Sequence, residues 1–301
     1  MPPTHSIVIS ASRRTDIPAF FMPWFMQGIA RGAFEVTHPF TRRVSRVVAT
    51  APPVHTIVFW SKNFGPFLEG GYGRRLHELG YHLYFQFTVN SRHLLLEPHL
   101  PGLDRRIEQI QRLCDQFGPA AVNWRFDPIC FYRSRKTGLG SNLEDIDRIA
   151  EAAAAAGIRR CTTSFMDLYA KIAQRTARRP GFDFVDPSFE EKIELVLALE
   201  GRMAARGIEL CTCCESELLS ALPAHSKIRA GACIPSARLM ELYGGHLSLR
   251  RDSGQRVKAG CECRTSVDVG SYDRHRCRHN CLYCYARPSL DHAGSKQEWI
   301  R

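Results

Sequence analysis

The sequence lacks the segments that mark membrane and secreted proteins. No run approaches the roughly 18 apolar residues needed to cross a bilayer. The first residues, MPPTHSIVIS, also lack the charged-then-apolar order of a secretion signal. We therefore expect a cytoplasmic protein with no membrane partner.

Common nucleotide and nucleic-acid motifs are missing as well. No G-x-G-x-x-G or G-x-x-x-x-G-K-[ST] follows the first predicted strand, which argues against a dinucleotide or P-loop fold. The net charge of +11 is compatible with an anionic or nucleic-acid substrate, although the arginines are scattered along the chain. The identity of the substrate therefore stays open.

Cysteine is scarce in the first two thirds of the chain and abundant near its end. Of the 12 cysteines, only Cys114, Cys130 and Cys161 precede residue 200. A disulfide framework is not expected, because cytosolic thiols are kept reduced. The crowding of the remaining cysteines between 211 and 284 favours metal binding.

The first 215 residues alternate between β-rich and helical segments, which predicts βαβ units and a parallel sheet. The predicted strands are 5–10, 55–60, 81–87, 120–126, 157–165 and 207–213. Two predicted helices begin with capping boxes, Ser141 with Glu144 and Ser188 with Glu191. We expect an α/β fold, a partial or complete (β/α) TIM-type barrel. Its single domain would span 1–288, with 211–288 as the cysteine-rich iron–sulfur portion and 289–301 as a flexible tail.

The predicted strands become polar at their carboxyl ends, which share one face in a parallel barrel and carry its active site. Helix capping is the alternative role of such residues, above all for Asp16. Arg125 and Asp127 lie two apart on one strand and therefore on one face, as a buried ion pair or a substrate clamp. The candidate cofactor-binding residues at these ends are Ser10, Arg13, Asp16, Lys62, Asn63, Gln86, Thr88, Arg125 and Asp127.

Near the end of the chain, Cys277, Cys281 and Cys284 form a C-x3-C-x2-C motif. A 4Fe–4S cluster takes four ligands, so three thiolates leave one iron open. An open iron can bind the amino and carboxylate groups of S-adenosylmethionine, and an electron from an external donor then cleaves its sulfonium. The motif resembles the signature of radical-SAM enzymes. Tyr283, within it, is expected to pack against the adenine or the cluster, with ordinary aromatic packing as the alternative.

A second set of cysteines precedes this motif. Strand alternation places Cys211 and Cys213 on the side opposite Cys214, which predicts that these two belong to the core. For the whole group, burial as small apolar side chains is the alternative. His275 and His279 are expected to be solvated. The predicted ligands of an auxiliary iron–sulfur cluster or a structural zinc are Cys214, Cys233, Cys261 and Cys263.

Several segments resemble a bacterial family known as domain of unknown function 1848. They are SASRRTDIPAFF, FWSKN, WRFDPI, CCE, GACIP and CECRTSVDVGSYDRHRCRHNCLYCYA, and the resemblance runs over about 6–288. It implies a C-terminal cysteine cluster similar to that of radical-SAM proteins, formed here by Cys277, Cys281 and Cys284. It also implies counterparts of the four cysteines of the second set, and it brings no substrate.

Radical-SAM motifs normally lie at the start of the barrel sequence, whereas this motif lies near the end of the chain. The segment 265–272 reads as a further strand, and docking it beside the first strand would give a circularly permuted radical-SAM barrel. This arrangement requires the cysteine loop to lie near residues 10–16.

Three alternatives remain open at this point. One is a zinc-binding, nucleic-acid-associated protein that uses His279 with the cysteines at 261, 263, 277, 281 and 284. Another is an electron-transfer protein whose clusters are fully ligated by thiolates. The third keeps the loop cluster but transfers an alkyl group from the same sulfonium.

Overall fold

The computed structural model of the chain describes residues 6–38 and 41–286. The predicted tail at 289–301 lies outside these residues. The strands are β1 (Ile7–Ala11), β2 (Ala33–Thr37), β3 (Val44–Val48), β4 (Val54–Ser61), β5 (His82–Thr88), β6 (Val122–Ile129), β7 (Phe131–Ser134), β8 (Gly138–Ser141), β9 (Arg160–Phe165), β10 (Phe182–Val185), β11 (Glu209–Thr212), β12 (Arg229–Ala230) and β13 (Val267–Asp268). The α-helices are α1 (Ile17–Phe20), α2 (Met22–Ala30), α3 (Gly65–Glu69), α4 (Tyr72–Glu78), α5 (Leu103–Phe117), α6 (Ile146–Ala155), α7 (Ala170–Thr176), α8 (Phe189–Ala204), α9 (Ser216–Ala221) and α10 (Ser236–Tyr243).

The centre of the protein is an eight-stranded sheet in the order β12-β11-β9-β6-β5-β4-β1-β13. Every neighbouring pair in it is parallel. The six predicted strands are β1, β4, β5, β6, β9 and β11, each within a few residues of its expected bounds. The predicted α/β class with a parallel sheet is therefore confirmed.

The sheet does not close into a barrel. Among the described residues, no pairing joins its two edge strands, β12 and β13. Each edge strand has only two residues, so it offers few hydrogen bonds to a further neighbour. The complete TIM-type barrel, one of the two forms that the sequence allowed, is therefore not observed.

The two faces of the sheet have different coverings. One face packs against helices through aromatic side chains such as Phe59, Phe85 and Trp124, all fully buried. The other face, which carries Val58 and Tyr84, is covered by the cysteine-rich part of the chain. Strand residues alternate between these faces, so the polar positions of β5 and β6 point toward the cysteine-rich side.

One of the two predicted capping boxes is present. The Ser188 hydroxyl accepts a hydrogen bond from the Glu191 backbone N–H at 3.2 Å, and the Glu191 carboxylate accepts one from the Ser188 backbone N–H at 2.7 Å. The other prediction was wrong, because Ser141 ends β8 and α6 begins only at Ile146. The antiparallel pairing of β8 with β7 keeps the backbone extended there.

Two small antiparallel sheets, β10-β7-β8 and β2-β3, were not predicted. In residues 6–38 and 41–286, no helix has both the length and the apolar character needed to cross a membrane.

Candidate metal centres

Strand β13 brings the C-terminal cysteines to the carboxyl ends of the central strands. It pairs in parallel with β1, which confirms the predicted docking of this segment beside the first strand. The Asp268 carboxylate accepts hydrogen bonds from Ser10 Oγ at 3.0 Å and Ser12 Oγ at 2.6 Å. It also accepts one from the Arg13 backbone N–H at 2.7 Å. The chain then enters the cysteine loop, which we define as residues 277–284.

Asp16 connects the cysteine loop to the end of β1. His279 Nε2 lies 2.8 Å from Asp16 Oδ2. Asp16 also accepts hydrogen bonds from the backbone N–H groups of Lys62 and Ala19, both at 2.9 Å, so it caps α1 as expected. The loop therefore lies beside residues 10–16, as the permuted arrangement requires.

The two histidines near the cysteine motif are buried, which corrects the expectation that they are solvated. The His279 ring lies 4.7 Å from the Phe20 ring, and the His275 ring lies 4.0 Å from the Trp24 ring, between centroids. Burial lowers the pKa of His275 to about 4. The aromatic residues of α1 and α2 thus form an apolar wall beside the loop, which the position of the histidines among basic residues did not indicate.

A buried polar network supports the other side of the cysteine loop. Lys62 Nζ donates hydrogen bonds to Glu97 Oε1 at 2.7 Å and to the Tyr283 hydroxyl oxygen at 2.9 Å. Asn90 Nδ2 donates to the same two oxygens, at 3.2 and 3.1 Å. The Tyr283 hydroxyl in turn donates to Glu97. Tyr283 thus makes defined polar contacts beyond simple aromatic packing.

The electrostatics of this network keep opposite charges together inside the protein. Burial alone would raise the pKa of Glu97, but Lys62 and then Arg106 hold it below its ordinary value. Burial acts to lower the pKa of Lys62, and Glu97 outweighs that effect and raises it. Burial, reinforced by Glu97, raises the pKa of Tyr283 well above its usual range. Near neutral pH the network therefore contains an ammonium, a carboxylate and a neutral phenol.

The sequence analysis missed Glu97, although a signal for it exists. This residue is the one acid in the apolar segment LLLEPHL, at 94–100, where a charge is expected to need a buried partner. Asn90, which follows the end of β5, was likewise not among the selected residues.

The three thiols of the cysteine loop lie in a low-dielectric environment. Burial, followed by the charge of Asp16, raises the pKa of Cys277 to about 12. Burial raises the pKa of Cys281 well above its usual range, with Lys62 acting in the opposite direction, and it also raises the pKa of Cys284. Near neutral pH these thiols are therefore protonated, and a metal that binds them would displace their protons.

Arg175, from α7, holds the backbone of the same loop. Its Nη1 donates to the carbonyl oxygens of Cys281 at 3.1 Å and Leu282 at 3.2 Å, and its Nη2 donates to that of Cys284. The loop geometry is thus fixed by contacts outside the thiols themselves. Nothing in the sequence pattern indicated this role for Arg175.

The second set of cysteines brings together five thiols. Cys213 Sγ lies 3.8 Å from the Sγ atoms of both Cys214 and Cys233. The Cys261 thiol interacts with those of Cys214 and Cys263, and the Cys263 thiol also interacts with that of Cys233. We call this group the five-thiol ring: Cys213, Cys214, Cys233, Cys261 and Cys263.

The ring contains all four cysteines predicted for the second set and adds Cys213, which had been assigned to the core. Strand β11 ends at Thr212, and Cys214 has φ +61°, in the left-handed region that non-glycine residues seldom adopt. Strand alternation therefore stops before Cys213, and the adjacent thiols of Cys213 and Cys214 meet. Cys211 stays on the strand, buried and outside the ring.

Two arginines lie beside the five-thiol ring. Arg125 Nη2 pairs with Asp127 Oδ2 at 2.5 Å, which confirms that these side chains share a face, and Nη1 donates to Cys233 Sγ at 2.9 Å. Arg13 pairs with Asp252 at 3.3 Å. The guanidinium carbons of both arginines lie 5.9 Å from the Trp60 ring centroid, within cation–π range.

The remaining predicted residues divide into two groups. Ser10 accepts a hydrogen bond from Trp60 Nε1 at 3.1 Å, and Gln86 Nε2 donates to the Cys233 carbonyl at 2.8 Å, so both face the cysteine-rich side. Thr88 lies opposite Arg125 in the β5–β6 pairing. Asn63 does not belong to this group, because its side-chain oxygen accepts from Gln109 Nε2 of α5 at 2.9 Å.

The structure separates the cysteines that the zinc alternative grouped together. Cys261 and Cys263 belong to the five-thiol ring, whereas the loop thiols are influenced by Asp16 and Lys62. Within the part of the chain that the structure describes, no three His, Cys, Asp or Glu side chains form a site for a single metal ion.

These features define an open, parallel α/β protein with a partly buried three-cysteine loop at its strand ends. The chain belongs to the family described as Domain of unknown function (DUF1848), whose model matches residues 8–286. This match confirms the family that the sequence motifs indicated. No curated protein matches the chain.

Proposed function

We propose that this protein is a radical-SAM-like enzyme that holds a 4Fe–4S cluster through Cys277, Cys281 and Cys284. The observation that best supports this proposal is the position of these three thiols on one partly buried loop at the strand ends. Such a cluster, when bound, would supply the electron that cleaves a carbon–sulfur bond of S-adenosylmethionine, and an external donor would replace that electron. Carboxyl ends of parallel strands are where α/β proteins place their active sites.

We further propose that the fold is a circularly permuted partial barrel. In this arrangement β13 is the strand that precedes the cluster loop, and β1 follows it in space. The parallel pairing of β13 with β1 and the contact of His279 with Asp16 support this interpretation.

The protein's own residues would orient the loop and line the space beside it. Asp16 and Arg175 hold the loop backbone and His279, and Lys62 fixes Tyr283 from the opposite side. Arg13 and Arg125 lie near the aromatic face of Trp60 with their carboxylate partners, and the anionic substrate that we propose rests on the net charge of +11. The proposed S-adenosylmethionine- and substrate-binding residues are Ser10, Arg13, Gln86, Thr88, Arg125 and Asp127.

The proposal is tested by spectroscopy on anaerobically reconstituted protein. We expect S-adenosylmethionine to change the electron paramagnetic resonance spectrum of the reduced wild-type protein. The Cys281→Ala variant should lose this response together with about four irons. Cys130→Ala is the matched control, because Cys130 is buried in the same apolar cluster but lies outside the motif.

A wild-type protein with its full iron content and a spectrum indifferent to S-adenosylmethionine would contradict the proposal. That result would instead indicate a cluster saturated by protein ligands, as in an electron-transfer protein.

A further inference from the structure

We propose that the five-thiol ring is a second metal centre that holds an iron–sulfur cluster, separate from the cysteine loop. The ring draws its thiols from three parts of the chain: the end of β11, the turn after β12, and the segment before β13. Such convergence requires specific backbone geometry at each part. This inference does not depend on whether the loop binds S-adenosylmethionine.

The backbone around the ring is built to bring the thiols together. Cys214 adopts φ +61°, which turns its side chain toward that of Cys213. Gly231 lets the turn that carries Cys233 pass close to the sheet, since a Cβ there would lie 3.2 Å from the Thr212 carbonyl oxygen and 3.3 Å from Cys211 Cβ. Both features bring the cysteine-bearing segments close to one another.

The ring packs against apolar side chains such as Val58 and Ile234, and it also has a buried cation as a neighbour. Arg125 is buried and donates from Nη1 to Cys233 Sγ at 2.9 Å. Burying a guanidinium is costly unless it has anionic or hydrogen-bonding partners, and Asp127 supplies only one carboxylate. Hydrogen bonds to cluster thiolates are a common means of tuning iron–sulfur centres.

The arrangement of donors favours a cluster over a structural zinc ion. Zinc takes four ligands, usually in pairs separated by two to four residues. Here the pairs are adjacent, at Cys213 and Cys214, or one residue apart, at Cys261 and Cys263. The ring also contains five thiols, one more than the four ligands that a structural zinc ion takes.

The test removes the loop centre first. A variant with Cys277, Cys281 and Cys284 all changed to Ala is reconstituted anaerobically with iron and sulfide, and its metals are counted. We expect it to keep about four irons with matching sulfide. Adding Cys233→Ser and Cys263→Ser should remove them. A loop variant without iron, or with zinc and no sulfide, would overturn the proposal.

Substitutions of Cys213 and Cys211 form a matched pair that tests which cysteines belong to the ring. In the same loop-variant background, Cys213→Ser should lower the iron content at least twofold, whereas Cys211→Ser should leave it unchanged. Equal effects would show that Cys213 is not part of the centre.

A Mössbauer measurement on wild-type protein provides a second readout. Because this protein carries no substitution, a folding defect of a variant cannot affect the result. About eight irons in two distinct environments support the second centre, and about four irons that all disappear when Cys277, Cys281 and Cys284 are changed to Ala contradict it.

Discussion

At the residue scale, the most distinctive feature of the fold is the burial of opposite charges beneath the cysteine loop. Glu97 lies 2.7 Å from Lys62 and 3.6 Å from Arg106, with its side chain only 3% exposed. Removing one partner of such a group leaves a buried charge without compensation, at a cost of about 3–5 kcal/mol. These charges therefore tie the stability of the fold to the position of Tyr283.

We predict that Glu97→Gln lowers the free energy of unfolding by about 3 kcal/mol, because it leaves the Lys62 ammonium buried without its carboxylate. Urea denaturation measures this change. Glu78→Gln is the control, since Glu78 and Arg74 form an exposed pair 4.0 Å apart that should contribute at most about 0.5 kcal/mol. Similar losses in the two variants would show that the buried pair is not a special determinant of stability.

A second residue-scale prediction concerns His82, whose ring stacks on Tyr243 with centroids 4.5 Å apart. Burial, and then the charges of His55 and His77, lowers the pKa of His82 in the folded protein. The unfolded chain, with a histidine pKa of about 6.5, binds the proton first as the pH falls. The contribution of this residue is therefore complete above about pH 6.5 and declines at lower pH.

His82→Phe keeps an aromatic ring but removes its titration. We expect this variant to lose less unfolding free energy than the wild type between about pH 7.5 and about pH 5.5. Urea unfolding at both pH values gives the comparison, with exposed His246→Phe as the control. A loss as large as that of the wild type would contradict the assignment.

The limits of sequence prediction are visible at single residues. The C-x3-C-x2-C motif and the polar ends of β1, β4 and β6 were identified because spacing and strand position are local properties. Cys213 was misplaced, since the rule of alternation ends with the strand and the left-handed backbone of Cys214 cannot be read from its side chain. Asn63 was selected for its position after a strand, yet its neighbour in space is Gln109.

At the scale of elements, β13 determines where the cysteine loop lies. It has two residues, and its attachment depends on the Asp268 carboxylate as well as on the ladder with β1. A short edge strand with so few backbone hydrogen bonds is sensitive to the loss of one side chain. The position of the cysteine loop should therefore respond to changes at Asp268.

We predict that Asp268→Asn accelerates amide hydrogen exchange in residues 265–285, because the amide loses the charge-assisted bonds to Ser10, Ser12 and the Arg13 backbone. Exchange mass spectrometry measures the effect. Asp273→Asn is the control, since Asp273 pairs at the surface with Arg42 at 2.9 Å. If exchange in this segment is unchanged by Asp268→Asn, β13 is held by other contacts.

The elements also show which parts of a fold follow from local pattern. The parallel sheet was predictable because each central strand has a buried apolar segment and at least one helix separates it from the next central strand. The β2–β3 hairpin and the β10-β7-β8 sheet were missed, since their short strands carry little periodic signal. Closure of the sheet could not be decided, because it depends on the pairing of two-residue edges far apart in the chain.

At the scale of the whole molecule, the fold gathers eight of the twelve cysteines into two separate groups, three in the cysteine loop and five in the five-thiol ring. The cysteine loop and the five-thiol ring are connected through Lys62, whose Nζ lies 3.5 Å from the Asp127 carbonyl oxygen, and through the Asp127–Arg125 pair. The sequence indicated both groups by cysteine spacing. The polar connection between them arises from the order of β4, β5 and β6 side by side in the sheet, which spacing does not reveal.

The most direct test of the account is product analysis of S-adenosylmethionine incubated with reconstituted protein and a strong reductant under anaerobic conditions. We predict that wild-type protein forms 5′-deoxyadenosine and methionine in equal amounts, and that Cys277→Ala, Cys281→Ala and Cys284→Ala form neither. Intact S-adenosylmethionine after incubation with fully iron-loaded wild-type protein, or the same products from the cysteine variants, would contradict it.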